Sequence, residues 1–381
     1  MKSNTGFPQR VVIKLGTGLV VDDKFKFNAK LIKSVVKQIL NLRKKNIEVV
    51  LVSSGAIGLA KSEIQYNLNL TLEQKQALAA IGQPLLMNHY TKLFSVHKVK
   101  VAQVLLTTND LSERESYMNL RLVFDELLSQ GVIPIVNEND CVSTKEIVAG
   151  QGKIFGDNDV LSALVASKLD ASHLIILTDV AGVYNKNPYE YKDAKVISHI
   201  TRLSDFPKIE LGKKSKLGRG GMLTKVKAAQ TASVCGVTTI IASGYEKNIL
   251  VNTVCGEKIE GTIVTPLGRL QMRKKWLGFS KSASGLVVIN DGARLALEEK
   301  HASLLPVGVV DVQGEFKSGD LICIMSQEQF EIARGLSKYS SSDLKKVLGM
   351  KNQDIKKINL SFSEELVHRD NLVVFKELYS I

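Results

Sequence analysis

The feature that most constrains the fold is a repeated alternation of short apolar runs with longer segments of helical periodicity. In the longer segments, apolar residues recur at every third or fourth position, as on the buried face of a helix. This alternation predicts βαβ units with parallel strands and right-handed crossovers. The predicted strands are residues 11–13, 47–52, 99–106, 132–136, 174–177 and 237–241, and the predicted helices are residues 28–40, 72–94 (with an interruption at Gly82-Gln83-Pro84), 113–129, 160–169 and a segment after residue 225.

The pattern changes beyond a basic segment at residues 272–276. Short strand-like segments bounded by turn signals follow, which predicts a small β-rich second domain. We therefore divide the chain into an α/β domain at residues 1–265, a linker at 266–275, a β-rich domain at 276–360 and a C-terminal tail at 361–381. The strand-like segments are residues 285–289, 304–312, 320–325 and 329–336, with turn signals at Asp291-Gly292, Gln313-Gly314 and Ser318-Gly319-Asp320.

The composition bears on the cellular location of the chain and on whether it contains metal sites or disulfides. The 381 residues are 44% hydrophobic, but no apolar run approaches the roughly 20 residues of a membrane span. Residues 1–10 are polar and lack the apolar core of a signal peptide, so we expect a cytoplasmic protein without membrane contact. The four cysteines are scattered without a Cys-x-x-Cys pair, which argues against a zinc site or a disulfide framework.

The formal net charge of +13 predicts attraction to phosphates, whether in nucleotides, RNA or acidic metabolites. Because lysine and arginine are spread along the whole chain, the charge is more typical of a solvated basic surface than of a nucleic-acid patch.

Two polar tetrads flank one predicted loop between a strand end and a helix start. The first is Asn137-Glu138-Asn139-Asp140, and the second is Gly156-Asp157-Asn158-Asp159. Loops at the carboxyl ends of strands are where open α/β sheets bind ligands. Capping and turn formation are the alternative for either tetrad alone, since Asn and Asp favour both. The presence of two tetrads at one loop favours a ligand site.

Three further motifs follow predicted strands or precede a predicted helix. Lys14-Leu15-Gly16-Thr17-Gly18 ends the first strand, and its order differs from that of a Walker A loop. Ser53-Ser54-Gly55 ends the second strand. A basic, glycine-rich segment at residues 213–225 precedes a helix, where backbone N–H groups and the helix dipole favour an anion.

In this combination and order, the motifs resemble those of the amino-acid kinase family, in particular its members that act on glutamate. The second domain resembles a PUA domain, a small β module found in RNA-modifying enzymes. The residues that carry the resemblance are Val12-Ile13-Lys14-Leu15-Gly16, Ser53-Ser54-Gly55-Ala56, both tetrads, Leu177-Thr178-Asp179 and residues 218–225 in the first domain, and residues 303–308 and 333–337 in the second.

The resemblance implies a three-layer α/β sandwich with a mainly parallel central sheet, followed by the PUA-like domain. It also implies ATP-dependent phosphorylation of the side-chain carboxylate of L-glutamate, giving glutamyl 5-phosphate for proline synthesis. ATP and Mg²⁺ are the implied cofactors, with the metal held on the ATP phosphates and no protein ligand predicted. A homo-oligomer and feedback inhibition by proline are also implied.

The resemblance assigns roles to individual residues of this sequence. Lys14 and Lys225 would hold the transferring phosphoryl group, and Asp159 would orient both lysines. Two positions depart from the family, since Arg219 stands where a small Thr is common and Leu223 replaces a small polar residue. Glutamate would contact Ser54, Asp140 and Asn158, and ATP would contact Lys14, Thr178, Asp179, Arg219, Gly220, Gly221, Met222, Leu223, Thr224 and Lys225.

Two alternatives stay open at the level of sequence. One is a family kinase with another acceptor, such as aspartate, N-acetylglutamate, carbamate or UMP. The other is an RNA-binding protein that acts through the PUA-like domain. The RNA alternative is not favoured, because stacking aromatics usually accompany the charges of such sites and the basic residues here have only Phe316, Phe330 and Tyr339 nearby.

Overall fold

The computed structural model describes residues 10–64, 70–107, 110–111, 114–142, 158–188, 190–201, 221–266, 283–350, 352–358 and 363–374. These residues form two compact units that divide near residue 270. No helix within the described ranges is both long and apolar enough to cross a membrane.

The first unit is built on an eight-stranded sheet with the order β3-β4-β2-β1-β5-β7-β8-β6. Among its described pairings, only the β7–β8 pair is antiparallel. The strands are β1 (Arg10–Leu15), β2 (Glu48–Ser53), β3 (Val101–Leu106), β4 (Ile133–Glu138), β5 (His173–Thr178), β6 (His199–Ile200), β7 (Thr238–Ser243) and β8 (Gly261–Val264). The helices are α1 (Thr17–Val20), α2 (Ala29–Lys44), α3 (Ala56–Ala60), α4 (Leu72–Ser95), α5 (Arg114–Ser129), α6 (Asn158–Lys168), α7 (Met222–Val234) and α8 (Ile249–Cys255).

Strand alternation separates two helical layers. Val11, Ile13 and Leu15 of β1 join one core with residues of α2, α4 and α8. The opposite face of β1 is covered by α6, which also packs against α7. Because successive strand side chains point to opposite faces, Lys14 lies on the α6 side. The three-layer, mainly parallel architecture predicted from the sequence is confirmed.

The chain path places α6 over the centre of the sheet. The chain leaves β4 on one side of β1, forms α6, and returns as β5 on the other side of β1. In this position α6 packs against β1, β2, β4 and β5. Ligands of open α/β sheets bind at the carboxyl ends of strands where connections diverge in this way.

The predicted interruption of α4 at Gly82-Gln83-Pro84 is wrong. The helix runs without a break from Leu72 to Ser95, with Pro84 inside it. Gly82 serves helix packing rather than helix termination, because a Cβ at this position would lie 1.8 Å from the carbonyl oxygen of Ala56 in α3. The missing side chain thus lets α3 and α4 approach closely.

The second unit contains a five-stranded sheet with the order β10-β9-β11-β12-β13. Two local predictions fail in this unit. The Asp291-Gly292 turn is the start of a helix, because the side chain of Asn290 caps it by accepting from Ala293 N. The predicted strand at 304–312 begins only at Val309, after a 3₁₀ turn at Pro306–Gly308. The elements are β9 (Gly285–Ile289), α9 (Asp291–Lys300), β10 (Val309–Gly314), β11 (Leu321–Met325), β12 (Glu331–Leu336), α10 (Ser341–Lys346), α11 (Asn352–Ile358), a 3₁₀ turn (Arg369–Asn371) and β13 (Leu372–Val374).

Part of the segment at 361–381, which the sequence predicts to be a tail, contributes to this sheet. Its strand β13 pairs antiparallel with β12, from Gly335↔Leu372 to Ala333↔Val374. All three residues of β13 are buried. Part of the segment is therefore an integral edge of the β-rich unit.

We predict that Gly82→Ala lowers the free energy of unfolding by about 3 kcal/mol or more, since the added Cβ meets backbone that has little room to move. Urea denaturation followed by circular dichroism measures the change. Gly18→Ala is the matched control, because a Cβ at Gly18 has no atom within 4 Å. Equal stability of the two variants would contradict the packing role of Gly82.

Candidate active site

Two lysines form ion pairs with one buried carboxylate, at the edge of the first sheet where its parallel strands end. Nζ of Lys14 lies 2.5 Å from Oδ1 of Asp159, and Nζ of Lys225 lies 3.1 Å from Oδ2. Asp159 has no exposed surface, and the two lysines are 3% and 7% exposed. With two ammonium groups and one carboxylate, the cluster carries a net positive charge, which suits an anionic ligand.

Neighbouring groups keep the carboxyl group of Asp159 ionised. Burial alone would raise its pKa, but the ammonium groups of Lys14 and Lys225 and the hydrogen bond from Thr224 outweigh burial and lower the pKa to about 2. Thr224 Oγ1 donates to Asp159 Oδ2 at 2.8 Å. Asp159 also lies in the first turn of α6, where the helix dipole favours a negative charge.

The amino end of α7 lies beside this cluster. The 13-residue helix begins at Met222, and Gly221 precedes it without a side-chain cap. Thr224 and Lys225 occupy the first turn, and both side chains hydrogen-bond to Asp159. Met222 and Leu223 are half-buried in the same turn, whereas Arg219 and Gly220 lie outside the described residues. Uncapped backbone N–H groups at a helix start suit a phosphate.

A second cluster of polar side chains joins β2, β4, α4 and α6. Asn158 Nδ2 donates to Ser54 Oγ at 2.8 Å and to Asn137 Oδ1 at 2.9 Å. Asn137 Nδ2 in turn donates to Gln83 Oε1 at 2.8 Å. The structure thus brings Ser54 and Asn158 into direct contact, and Asn158 is the chain neighbour of Asp159.

The remaining predicted residues lie at the ends of the same strands. Asp140 is half-buried in the turn that follows β4. Thr178 is the last residue of β5, and its Oγ1 donates to Asp179 Oδ1 at 3.0 Å. Thr178 is buried and Asp179 is exposed.

The tetrads lie at a strand end and a helix start, as predicted, and half of each belongs to the regular element itself. Asn137 and Glu138 complete β4, and Asn158 and Asp159 begin α6, so only the residues between them connect the elements. Burial explains this outcome, because Asn137, Glu138 and Asp159 find partners inside the protein instead of forming turns. Gly156 and Asp157 lie outside the described residues.

Sequence analysis missed Gln83 and Tyr90 as parts of this site. Tyr90 is fully buried, and its hydroxyl shares a 2.8 Å hydrogen bond with Ser53 Oγ. Burial raises the pKa of Tyr90, so the hydroxyl stays protonated. A signal was present in the sequence, since Ala79, Gln83, Leu86 and Tyr90 share one face of α4 and only Gln83 interrupts its apolar character.

No group of three or more His, Cys, Asp or Glu side chains that suits a metal ion occurs within the described ranges.

Paired lysines around a buried aspartate, at the carboxyl ends of mainly parallel strands, form a positively charged cluster that suits a phosphoryl group. The model of the amino acid kinase family matches residues 9–243, and the PUA domain model matches residues 285–359. The chain belongs to the amino acid kinase family.

Curated relatives narrow the class. The chain is 43% identical over 374 residues to the glutamate 5-kinase of Caldanaerobacter subterraneus subsp. tengcongensis, with 96% of this chain and 98% of the relative covered. It is 42% identical to the glutamate 5-kinase of Thermoanaerobacter sp. strain X514 (96% and 98% covered) and 40% identical to that of Pelobacter propionicus (96% and 97% covered). The resemblance inferred from the motifs is confirmed.

We predict that Asp159→Asn lowers the free energy of unfolding at pH 7 by about 3–5 kcal/mol, because two buried ammonium groups lose their counter-charge. The folded-state pKa of Asp159 is below its ordinary value, so its stabilising effect is complete above about pH 4 and is lost as the pH falls toward 2. The variant lacks this part of the acid dependence. Urea denaturation at pH 7 and across the acid range measures both effects.

The control is Asp193→Asn, which removes an equally short but exposed Lys186–Asp193 pair at 2.6 Å. Solvent screens such a pair, so little change in stability is expected. If both variants lose the same stability, the special role of the buried carboxylate is refuted.

Proposed function

We propose that this chain transfers the terminal phosphoryl group of ATP to the side-chain carboxylate of L-glutamate, forming glutamyl 5-phosphate for proline biosynthesis. The observation that carries the proposal is the buried Lys14–Asp159–Lys225 cluster. The hydrogen-bonded side chains of Ser54 and Asn158, the latter next to Asp159 in the chain, support the placement of the acceptor beside this cluster.

The chemistry requires charge neutralisation more than proton transfer. A side-chain carboxylate has an ordinary pKa of about 4.3 and is ionised at neutral pH, so the acceptor needs no general base. The difficulty is to bring this anion to an anionic phosphate. Lys14 and Lys225 neutralise the charge of the phosphoryl group during its transfer. Asp159 holds both ammonium groups in place before the substrates bind.

We assign ATP to the α7 side of the cluster, with Lys14, Thr178, Asp179 and residues 219–225 as its contacts. The uncapped start of α7 and the lysine cluster support this assignment. Mg²⁺ bound to the ATP phosphates would supply further neutralisation of their charge.

We assign glutamate to the opposite side, against Ser54, Asp140 and Asn158. Asp140 carries the negative charge that pairs with an α-ammonium group. This separates a free amino acid from an N-acylated one, whose nitrogen is neutral, and it favours glutamate over carbamate or UMP as the acceptor.

The RNA-binding alternative finds less support in the second unit. Phe316 and Tyr339 are buried in its core, and Phe330 is 67% exposed. Base stacking in single-strand binders uses exposed aromatic side chains next to basic ones, so two of the three candidate aromatics are unsuited to it.

Three further proposals accompany the activity. Proline inhibits the enzyme by competing at the glutamate side, the enzyme works in the cytoplasm, and it assembles into a homo-oligomer. Exposed apolar side chains on α5, including Met118 (49%) and Leu122 (66%), support assembly because such residues favour burial. Light scattering on the purified protein tests assembly, and a monomeric mass at micromolar concentration would refute it.

The activity is tested by incubating the protein with ATP, Mg²⁺ and L-glutamate in the presence of hydroxylamine, which traps an acyl phosphate as a hydroxamate. We expect hydroxamate with glutamate and none with aspartate, N-acetylglutamate or UMP, and a lower yield when proline is added. ADP release with UMP or aspartate but not with glutamate would be consistent with the family assignment and would refute glutamate as the substrate.

Lys14→Ala links this activity to the site. We expect kcat to fall by about 10²–10³, as for the loss of a preorganised charge donor in a transition state. Lys186→Ala is the control, because Lys186 pairs only with exposed Asp193 among its described ion pairs. Wild-type turnover in Lys14→Ala would exclude the lysine from the reaction.

A further inference from the structure

Three side-chain amides form a directional chain from α4 to the start of α6. Asn158 donates to Asn137, and Asn137 donates to Gln83. Gln83 lies on α4, is 7% exposed and comes from a segment with no assigned role in the activity. Gln83 thus ends a row of hydrogen bonds that begins at Asn158, a residue assigned to glutamate binding, and this position needs an explanation.

Backbone groups fix the direction of this chain. The backbone N–H of Glu138 donates to Asn137 Oδ1 at 2.9 Å, so this atom must be the oxygen. The carbonyl of Ser53 accepts from Asn158 Nδ2 at 3.3 Å, so that atom must be the nitrogen. An N–H only donates and a carbonyl only accepts. The remaining Nδ2 of Asn137 therefore needs an acceptor, and Gln83 Oε1 is that acceptor.

One oxygen of this chain of amides, at the end near the proposed substrate, lacks a hydrogen-bond donor among the described residues. Asn158 Oδ1 is buried and has no hydrogen-bond partner among the residues that the structure describes. A buried carbonyl oxygen without a donor is unfavourable. A ligand that brings an N–H donor would satisfy it, whereas a ligand that brings a carboxylate there would be repelled.

We propose that Gln83 is a positioning residue: through Asn137 it holds the Asn158 carboxamide with its oxygen toward the acceptor, so that the site selects a dicarboxylate with a free α-ammonium group. This inference rests on the proposed function, because it specifies which group of the glutamate molecule Asn158 recognises. Gln83 itself does not touch the reacting atoms.

Gln83→Met tests the proposal, because it keeps the length of the side chain and removes the acceptor for Asn137. Glutarate is the probe, since it has both carboxylates of glutamate and lacks the ammonium group. We expect the KM for glutamate to rise about five- to tenfold, as for the loss of one supporting hydrogen bond, with kcat and the KM for glutarate little changed. The hydroxamate assay measures both acceptors.

Gln83→Glu is the conservative rescue, because either form of the carboxyl group accepts from Asn137 Nδ2. It should restore the preference for glutamate over glutarate. Gln38→Met is the matched control: Gln38 is equally buried, and its Oε1 accepts from Leu250 N at 2.9 Å, between helices that contribute no residue to the site. This control should lose stability without a change in acceptor preference.

The outcomes separate the two proposals. An equal rise of KM for glutamate and glutarate in Gln83→Met, or no rise for either, would show a merely structural role and overturn the inference. A failure of Gln83→Glu to restore the preference would do the same. If the wild-type protein forms no glutamyl hydroxamate, the proposed function fails first, and this assignment fails with it.

Discussion

The site depends on one carboxylate that is completely removed from solvent. Asp159 stays ionised because Lys14, Lys225 and Thr224 replace the water that it has lost. The dependence is mutual, since two ammonium groups sharing so small a volume would repel each other without it. The three charged residues come from β1, α6 and α7, so the cluster forms only when these elements are correctly packed. The same arrangement leaves these three groups with a net positive charge, which suits an anionic ligand.

Two features of the chain path deliver these groups. Strand alternation puts Lys14 on the α6 face of β1, while its neighbours Ile13 and Leu15 enter the opposite core. The crossover from β4 to β5 then carries α6 over β1, which places the first turn of α6 above the end of that strand. A shift of one residue along β1 would bury an apolar side chain against Asp159 and leave the lysine in the wrong layer.

Much of this arrangement was predictable from sequence, because it depends on local periodicity. The parallel strands, their helices, and the family that pairs Lys14 with Lys225 and Asp159 all follow from short patterns and their order. The amide chain was not predictable in the same way. Gln83 and Asn137 are 54 positions apart, and their hydrogen bond appears only when α4 packs beside β4. Helix α9 was missed because Asp291-Gly292 resembles a turn until the cap at Asn290 is seen. Strand β13 was missed because three residues are too few to show a period.

The first two residues of α6 connect the two halves of the site. Successive residues of a helix project about 100° apart, and here Asn158 faces the amides while Asp159 faces the lysines. One turn of one helix therefore sets the separation between the amide cluster, proposed as the acceptor side, and the lysine cluster, proposed as the phosphoryl side. Movement of α6 would displace both sides together, so their relative geometry is preserved. In the proposed transfer, which relies on positioning and charge rather than proton abstraction, that shared turn would align the two substrates.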